Sequence, residues 1–323
     1  MTESDTQALT ATLCQKRWPI ARYRFVMRVT EALHLPEYGG STIRGAFGHA
    51  LRKTACMTKL KSCPGCPLQK SCPYAVMFES LPPQNHELQN FSQIPHPYIF
   101  EAPLGGEKTY FAGEKLSFDL VLIGQSRSLL ALVIYAVQRC FSFHVGHGKA
   151  ELEQVLFESD KTWLPIYLPE NKRIADHDPV VMICEDSPLF QGKTFTLNFN
   201  TSLRIQKNGK LLDNDSISSQ ALLMALVRRI SLLMEFFDEK IDFPFQELSF
   251  LATQPKIQSN AKWSHWVRFS SRQKQKMTLS GIQGSLTLTN LPPVFIPLLF
   301  VGSFTHIGKS ASFGLGGYSI TAE

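Results

Sequence analysis

The feature of this chain that most constrains its fold is an order of apolar periodicities that occurs twice. Ile20–Thr30 alternates apolar with basic, as a half-buried strand does: Tyr23, Phe25, Met27 and Val29 stand against Arg22, Arg24 and Arg28. After the Pro36–Gly40 loop, Ser41 or Thr42 can cap a helix with Ile43, Ala46, Phe47, Ala50 and Leu51 on one face. Strands are predicted near Tyr98–Glu101 and Lys115–Ile123, a helix over Arg127–Phe141 and a strand over Glu151–Glu158. Strand-helix-strand-strand-helix-strand is the ferredoxin-like plan. The order then recurs. A strand at Thr194–Asn200 precedes a long helix at Ser218–Phe237. Strand candidates follow at Phe245–Ala252, Trp263–Phe269 and Met277–Thr289, then a short apolar helix at Pro293–Val301 and a last strand at Phe313–Thr321. In each half a glycine-lysine turn precedes the last strand, Gly146 to Lys149 and Gly308 with Lys309. The expected fold class is α+β, with tandem ferredoxin-like (RRM-like) domains at 18–160 and 191–323. The proline-rich stretch 161–190 between them reads as a linker.

The 323 residues suffice for two domains with real cores. A hydrophobic content of 44% with 19% charged residues describes a folded chain and excludes a disordered one. The net charge of +6 is compatible with a polyanionic partner. No run approaches the roughly eighteen apolar residues that a membrane helix needs. The polar, acidic start of the chain is not a signal peptide. These features predict a cytoplasmic protein without a membrane partner.

Seven cysteines are present, and four of them fall within seventeen residues at C-x6-C-x2-C-x5-C: Cys56, Cys63, Cys66 and Cys72. An odd number so clustered reads as metal binding in a reducing compartment rather than a disulfide framework. The proline and glycine between Cys63 and Cys66 shape a knuckle, and four thiolates in a tetrahedron favour a closed, structural zinc site. An iron–sulfur cluster or free thiols are the alternatives, although the spacing fits neither familiar ferredoxin run. The expected insertion in the first domain is thus a zinc-binding one, with no catalytic metal.

The tail runs from His306 through Gly308, Lys309, Ser310, Ser312, Gly314, Gly316 and Gly317 to Tyr318. Glycines let backbone N–H groups approach a ligand, and a lysine with hydroxyls beside them suits a phosphate. The other reading is a glycine-rich turn ahead of a terminal strand. A nucleotide loop is excluded, because five residues instead of four separate Gly302 from Gly308 and no room remains for the helix that follows such a loop. Lys262–Lys276 holds Arg268, Arg272, Lys274 and Lys276 among Trp263, Trp266 and Phe269, with no acid. Cations neutralise phosphates and aromatic faces stack bases, though a strand with buried aromatics and a solvated basic face gives the same pattern. His49 falls off the apolar stripe of its helix, with Lys53 one turn on. A histidine beside a cation can serve as general acid or base in RNA strand cleavage, and the lysine can stabilise charge at phosphorus. A solvated helix histidine is the plain alternative. His34, His144, His147 and His306 are secondary candidates, and Tyr38 in the loop before the helix can enter the same site.

Four segments together resemble the CRISPR-associated repeat-cleaving endoribonucleases of the repeat-associated (RAMP) superfamily: Ile43–Arg52, the cysteine run ending at Tyr74, Val267–Gln273, and the tail Gly308–Gly316. The cysteine run marks one branch of that family. The resemblance implies tandem ferredoxin-like domains and a C-terminal glycine-rich loop that helps bind repeat RNA, the crRNA precursor. It further implies metal-independent cleavage that leaves a 2′,3′-cyclic phosphate and a 5′-hydroxyl. On this reading His49, Lys53 and Tyr38 are catalytic. RNA contacts fall to Arg44, Arg52, Arg268, Arg272, Lys274, Lys276, Gly308, Lys309, Ser310, Gly314 and Gly316. Gly317 stands where a basic residue is common in the family. The alternatives are a non-catalytic RNA-binding subunit of a CRISPR effector complex, with other subunits as partners, and a zinc-stabilised nucleic-acid-binding protein unrelated to CRISPR.

Overall fold

The computed structural model describes residues 3–80, 94–183, 187–270 and 275–323. The chain divides into two compact units: Pro19–Pro179 with Phe236–Asp238, and Met1–Trp18 with Val180–Glu235 and Glu239–Glu323. None of the helices among the described residues is long and apolar enough to cross a membrane.

In the N-terminal unit the strand Ile20–Glu31 lies between Lys115–Ile123 and Lys149–Ser159, with Tyr98–Glu101 beyond Lys115–Ile123. All neighbours are antiparallel. Helices Gly39–Ala55 and Leu130–Phe143 supply the two crossovers, the second entered through a 3-10 turn at Gly124–Leu129. This is the ferredoxin-like order. The alternation of the first strand explains which face the helices cover. Tyr23, Phe25, Met27 and Val29 join Ile43, Phe47 and Leu51 of the first helix and Val133, Val137 and Phe141 of the second in one buried core. Each such large side chain contributes about 1.5–3 kcal/mol when removed from water. The first helix begins at Gly39 with Tyr38 as its N-cap residue, ahead of the Ser41 or Thr42 start expected from the sequence.

The arginines of the first strand point to the other face, and each meets carboxylates on neighbouring strands. Arg22 is held by Glu101 at 2.8 Å and Glu158 at 2.8 Å. Arg24 forms a bidentate pair with Asp119 at 2.7 and 2.8 Å and lies 3.9 Å from the centre of the Trp163 ring. Arg28 is paired with Glu153. Burial opposes the charge on Arg22, but its two carboxylates outweigh burial and hold it protonated. A sheet face stitched by ion pairs across its strands is not the open, aromatic face on which RRM domains stack bases.

The stretch expected as a linker instead extends this sheet. Thr162–Leu168 pairs with Lys149–Ser159, and Arg173–Ile174 pairs with Thr162–Leu168. Pro165, which lacks a donor for the ladder, is accommodated at the register shift opposite Val155/Leu156. Ile166 joins the core.

The C-terminal unit repeats the plan. Its sheet runs Lys256–Ser264, Gly281–Thr289, Thr194–Leu203, Tyr318–Ala322, with helices Ser219–Phe237 and Phe295–Thr305. Phe245–Leu251, expected as a strand, is a helix. Leu248 and Ala252, four residues apart, are the buried pair, and Pro244 with Glu247 suits a helix start. The predicted Trp263–Phe269 strand is two elements: Lys256–Ser264 in the sheet, and Val267–Ser270 paired with Gln275–Thr278 as a separate hairpin. The polar N-terminus, for which the sequence suggested no element, forms helix Glu3–Gln15 against Phe295–Thr305. Its Leu13 carbonyl accepts the buried Trp18 indole N–H at 3.2 Å.

Gly308 has φ 86°, and a Cβ there would stand 2.5 Å from the Arg204 carbonyl oxygen. Gly209 has φ 80° but open space around it. Gly308→Ala should therefore lower stability by more than about 2 kcal/mol, and Gly209→Ala by only about 1 kcal/mol. Urea unfolding midpoints measure the difference, and equal losses would contradict the close approach.

Candidate nucleic-acid interface and active site

Helix Gly39–Ala55 buries Ile43, Phe47, Ala50 and Leu51, which turns the far side to solvent. His49 and Lys53 are both exposed there, one turn apart. The Lys53 ammonium lies 5.4 Å from the centre of the Phe143 ring, and the Arg139 guanidinium lies 5.8 Å from the same ring. Phe143 is 57% exposed, although it is a large apolar side chain at the end of the second helix. The two helices thus present an imidazole, two cations and an open aromatic on the surface. Phe143 and Arg139 were not singled out from the sequence. The signal available was Tyr135, Arg139 and Phe143 at i, i+4 and i+8, a partly exposed stripe on an otherwise apolar helix.

Tyr38 is not brought to this pair. It is buried at the N-terminal end of the helix, and the eleven residues from it to His49 correspond to roughly 16 Å along the axis. Arg44 donates to the Tyr98 hydroxyl at 3.1 Å and covers the Phe78 ring at 4.7 Å. Arg52 donates to the Leu60 and Lys61 carbonyls, both at 2.8 Å. Both arginines are therefore engaged with the protein itself. His34 bonds the Thr109 hydroxyl and faces Glu107. His144 and His147 are exposed.

The glycine-rich tail is divided between structure and surface. Ile307 N–H bonds the Gly316 carbonyl at 3.0 Å, Gly316 N–H the Ser202 carbonyl at 3.0 Å, and Gly314 N–H the Ala311 carbonyl at 2.7 Å. Gly317 N–H bonds the Thr201 hydroxyl at 3.0 Å. His306 is buried, and its Nδ1 lies 3.1 Å from the Leu315 carbonyl. Gly314 and Gly316 are buried too, whereas Lys309 is exposed and Gly308 and Ser310 are partly so. The part of the tail open to a ligand is thus Gly308-Lys309-Ser310. Lys309 donates its N–H to the Arg204 carbonyl at 2.8 Å and its ammonium to Gln206 Oε1.

Of the two tryptophans of the basic–aromatic segment, Trp266 is buried and Trp263 is partly exposed, so of these two it is Trp263 that offers a face for stacking. Arg268 and Lys276 sit on the paired strands Val267–Ser270 and Gln275–Thr278. Arg272 and Lys274 lie outside the described residues.

Cys56, Cys63, Cys66 and Cys72 all line one pocket, closed by Leu60, Leu68 and Tyr74. The Thr58 hydroxyl lies 3.5 Å from Cys66 Sγ and 3.9 Å from Cys56 Sγ. Burial, with Glu79, Cys72 and Cys56 nearby, pushes the Cys63 thiol up against the pull of Arg52. Among the described residues no group of three or more His, Cys, Asp or Glu is assembled as a metal site.

Residues 18–179 match the AF_1859_N family model, an N-terminal domain. Residues 197–318 match the model described as CRISPR-associated endoribonuclease Cas6. No curated protein matches the chain. Cas6 of Thermus thermophilus is 12% identical over 95% of this chain and 100% of that chain, at TM-score 0.51. A Cas6 product complex gives 0.55 at 12% identity, over 94% of this chain and 100% of that chain. A partial Cas6-RT-Cas1–Cas2 complex gives 0.58 at 12% identity, over 96% of this chain but 47% of that chain. A RAMP protein binding different RNA substrates gives 0.51 at 9% identity, over 93% and 99%. Likeness at such low identity carries the fold, and it is the tandem ferredoxin-like fold described above. The N-terminal half of the chain thus belongs to the AF_1859_N domain family, and residues 197–318 are similar to the CRISPR-associated endoribonuclease Cas6 model.

Proposed function

We propose that this chain binds CRISPR repeat RNA and cleaves it without a catalytic metal, maturing crRNA. The observation that supports this most is the exposed His49–Lys53 pair, whose lysine shares the Phe143 ring with Arg139. RNA carries its own nucleophile. The 2′-hydroxyl oxygen attacks the adjacent phosphorus, its proton leaves to a base, and the P–O5′ bond breaks as the leaving oxygen gains a proton. The products are a 2′,3′-cyclic phosphate and a 5′-hydroxyl, and no oxidant, reductant or water is consumed. His49 serves one of the two proton transfers, and Lys53 offsets the charge gained at phosphorus. The exposed turn Gly308-Lys309-Ser310 grips the backbone. One of the matched Cas6 structures is a product complex, which fits retention of crRNA here. The Cas6-RT-Cas1–Cas2 assembly makes other CRISPR proteins the natural partners, and free thiols among the described cysteines suit the reducing cytoplasm.

Cleavage of repeat RNA should proceed in EDTA and stop when the nucleotide at the cut carries no 2′-hydroxyl. His49→Ala should lower the single-turnover rate by about 10²–10⁴ while repeat binding and the thermal midpoint stay close to wild type, because the side chain is exposed. Normal cleavage by that variant removes His49 from the role. The separation of Tyr38 from His49 leaves one proton-transfer group of the expected set in place, and this favours a second reading, a non-catalytic RNA-binding subunit. That reading requires tight repeat binding with no product in either buffer.

The cysteine pocket supports a structural zinc. Four thiols from a loop whose backbone is tied to Arg52 surround one cavity, and their chemistry matches zinc at a closed tetrahedral site. When bound, the metal would replace the apolar core that this polar insertion lacks. Metal analysis should find about one zinc per chain. Cys63→Ser with Cys66→Ser should lose it together with solubility. Full occupancy by iron, or a stable protein without metal, would contradict the assignment.

A further inference from the structure

Just past the first strand of the C-terminal unit, Gln206–Lys207 and Lys210–Leu211 form a small antiparallel hairpin. Asn208 and Gly209 close it with φ 51° and 80°, the paired positive values of a two-residue type I′ turn. The register sets Lys207 directly opposite Lys210. Side chains at such positions share a face with Cβ atoms about 4.5–5.5 Å apart, and like charges placed there repel. Neither lysine has an acidic partner among the described residues. The nearest acid along the chain, Asp213, is turned to Ser216, accepting from its N–H at 3.0 Å and from its hydroxyl at 2.6 Å. A third cation is fastened to the same hairpin, because the Lys309 ammonium donates to Gln206 Oε1 and the Lys309 N–H to the Arg204 carbonyl. All three lysines are exposed. The hairpin thus holds two ammonium groups side by side on one face without a compensating carboxylate, and a third, that of Lys309, at Gln206 on the alternate face. An anion between the facing two removes the repulsion that the fold leaves standing.

We propose that Lys207 and Lys210, with Lys309, form a clamp for the phosphodiester backbone of bound RNA, one that contacts phosphate and reads no base. The clamp rests on the RNA-binding function proposed above and extends the contact from the glycine loop to a hairpin that nothing else assigns. A lysine ammonium suits this task because it is a compact charge on a flexible stem, free to follow a backbone of any sequence.

The test measures the affinity of the full chain for its repeat RNA and for an oligouridylate across a sodium chloride series. Wild type is compared with Lys207→Ala/Lys210→Ala and with the exposed Lys172→Ala as control. Each lost phosphate contact makes the slope of log K against log salt shallower by about 0.7 for single strands. The double variant is therefore expected to bind both RNAs more weakly, with a slope shallower by about 1.4, and to melt no lower than wild type because a like-charge pair is gone. Single Lys207→Gln and Lys210→Gln variants, each losing about half of that slope, serve if the double variant folds poorly. Unchanged slope and affinity in a folded variant overturn the clamp alone. Failure of the wild-type protein to bind either RNA overturns the RNA-binding function and the clamp with it.

Discussion

In both units the turn before the last strand docks its glycine backbone onto the chain just beyond the first strand, and the candidate surfaces depend on this contact. Gly146 lies so close to His34 that a Cβ would stand 1.9 Å from its carbonyl oxygen, and His34 N–H bonds the Gly146 carbonyl at 2.9 Å. In the C-terminal unit Gly308 bridges to Arg204, whose carbonyl accepts the Lys309 N–H. Backbone polar groups buried by such a contact need partners, and here each strand end and each turn supplies the other's. The docked turn then fixes where Lys309 emerges and braces the neighbouring hairpin through Gln206.

Charge is distributed according to what each surface does. The arginines of the first strand lie on the sheet face and are matched across strands by Glu101, Glu158, Asp119 and Glu153. Arg44 and Arg52 are drawn into packing around Phe78, Tyr98 and the cysteine insertion. Among the described residues, cations without a carboxylate partner include Lys53 beside Phe143 and the three lysines around the Asn208-Gly209 turn, as well as Arg204 and Arg229, which donate instead to the Ser280 and Thr305 carbonyls. A net charge of +6 understates this separation, because the neutralised arginines support the fold while the unmatched lysines are available to an anion.

The glycine-rich tail shows how one motif serves two ends. A phosphate-binding row of N–H groups was one expectation and a turn ahead of a terminal strand the other. Gly314, Gly316 and Gly317 donate to carbonyls or a hydroxyl of the protein and follow the second. Gly308-Lys309-Ser310 stays at the surface and keeps the first open.

Both ferredoxin-like repeats, the apolar face of the first helix and the exposure of His49 and Lys53 were legible in the sequence, because period-2 and period-3.6 patterns are local and a helix's solvent side follows from its buried one. Phe245–Leu251 was misread because seven apolar-rich residues fit either period. Thr162–Leu168 was missed because Pro165 masks a strand whose register shift tolerates it, whereas Phe295–Thr305, mostly buried, was legible from its run of apolar residues alone. The Asn208-Gly209 dipeptide signals a hairpin by itself, yet only pairing shows that it sets two lysines face to face. The sequence alone determined most of the elements, their doubled order and the clustering of the cysteines. The tertiary structure alone decided which cations are neutralised, which glycines are buried and how far Tyr38 lies from His49, because those depend on which strands become neighbours and on how far apart a helix holds its two ends.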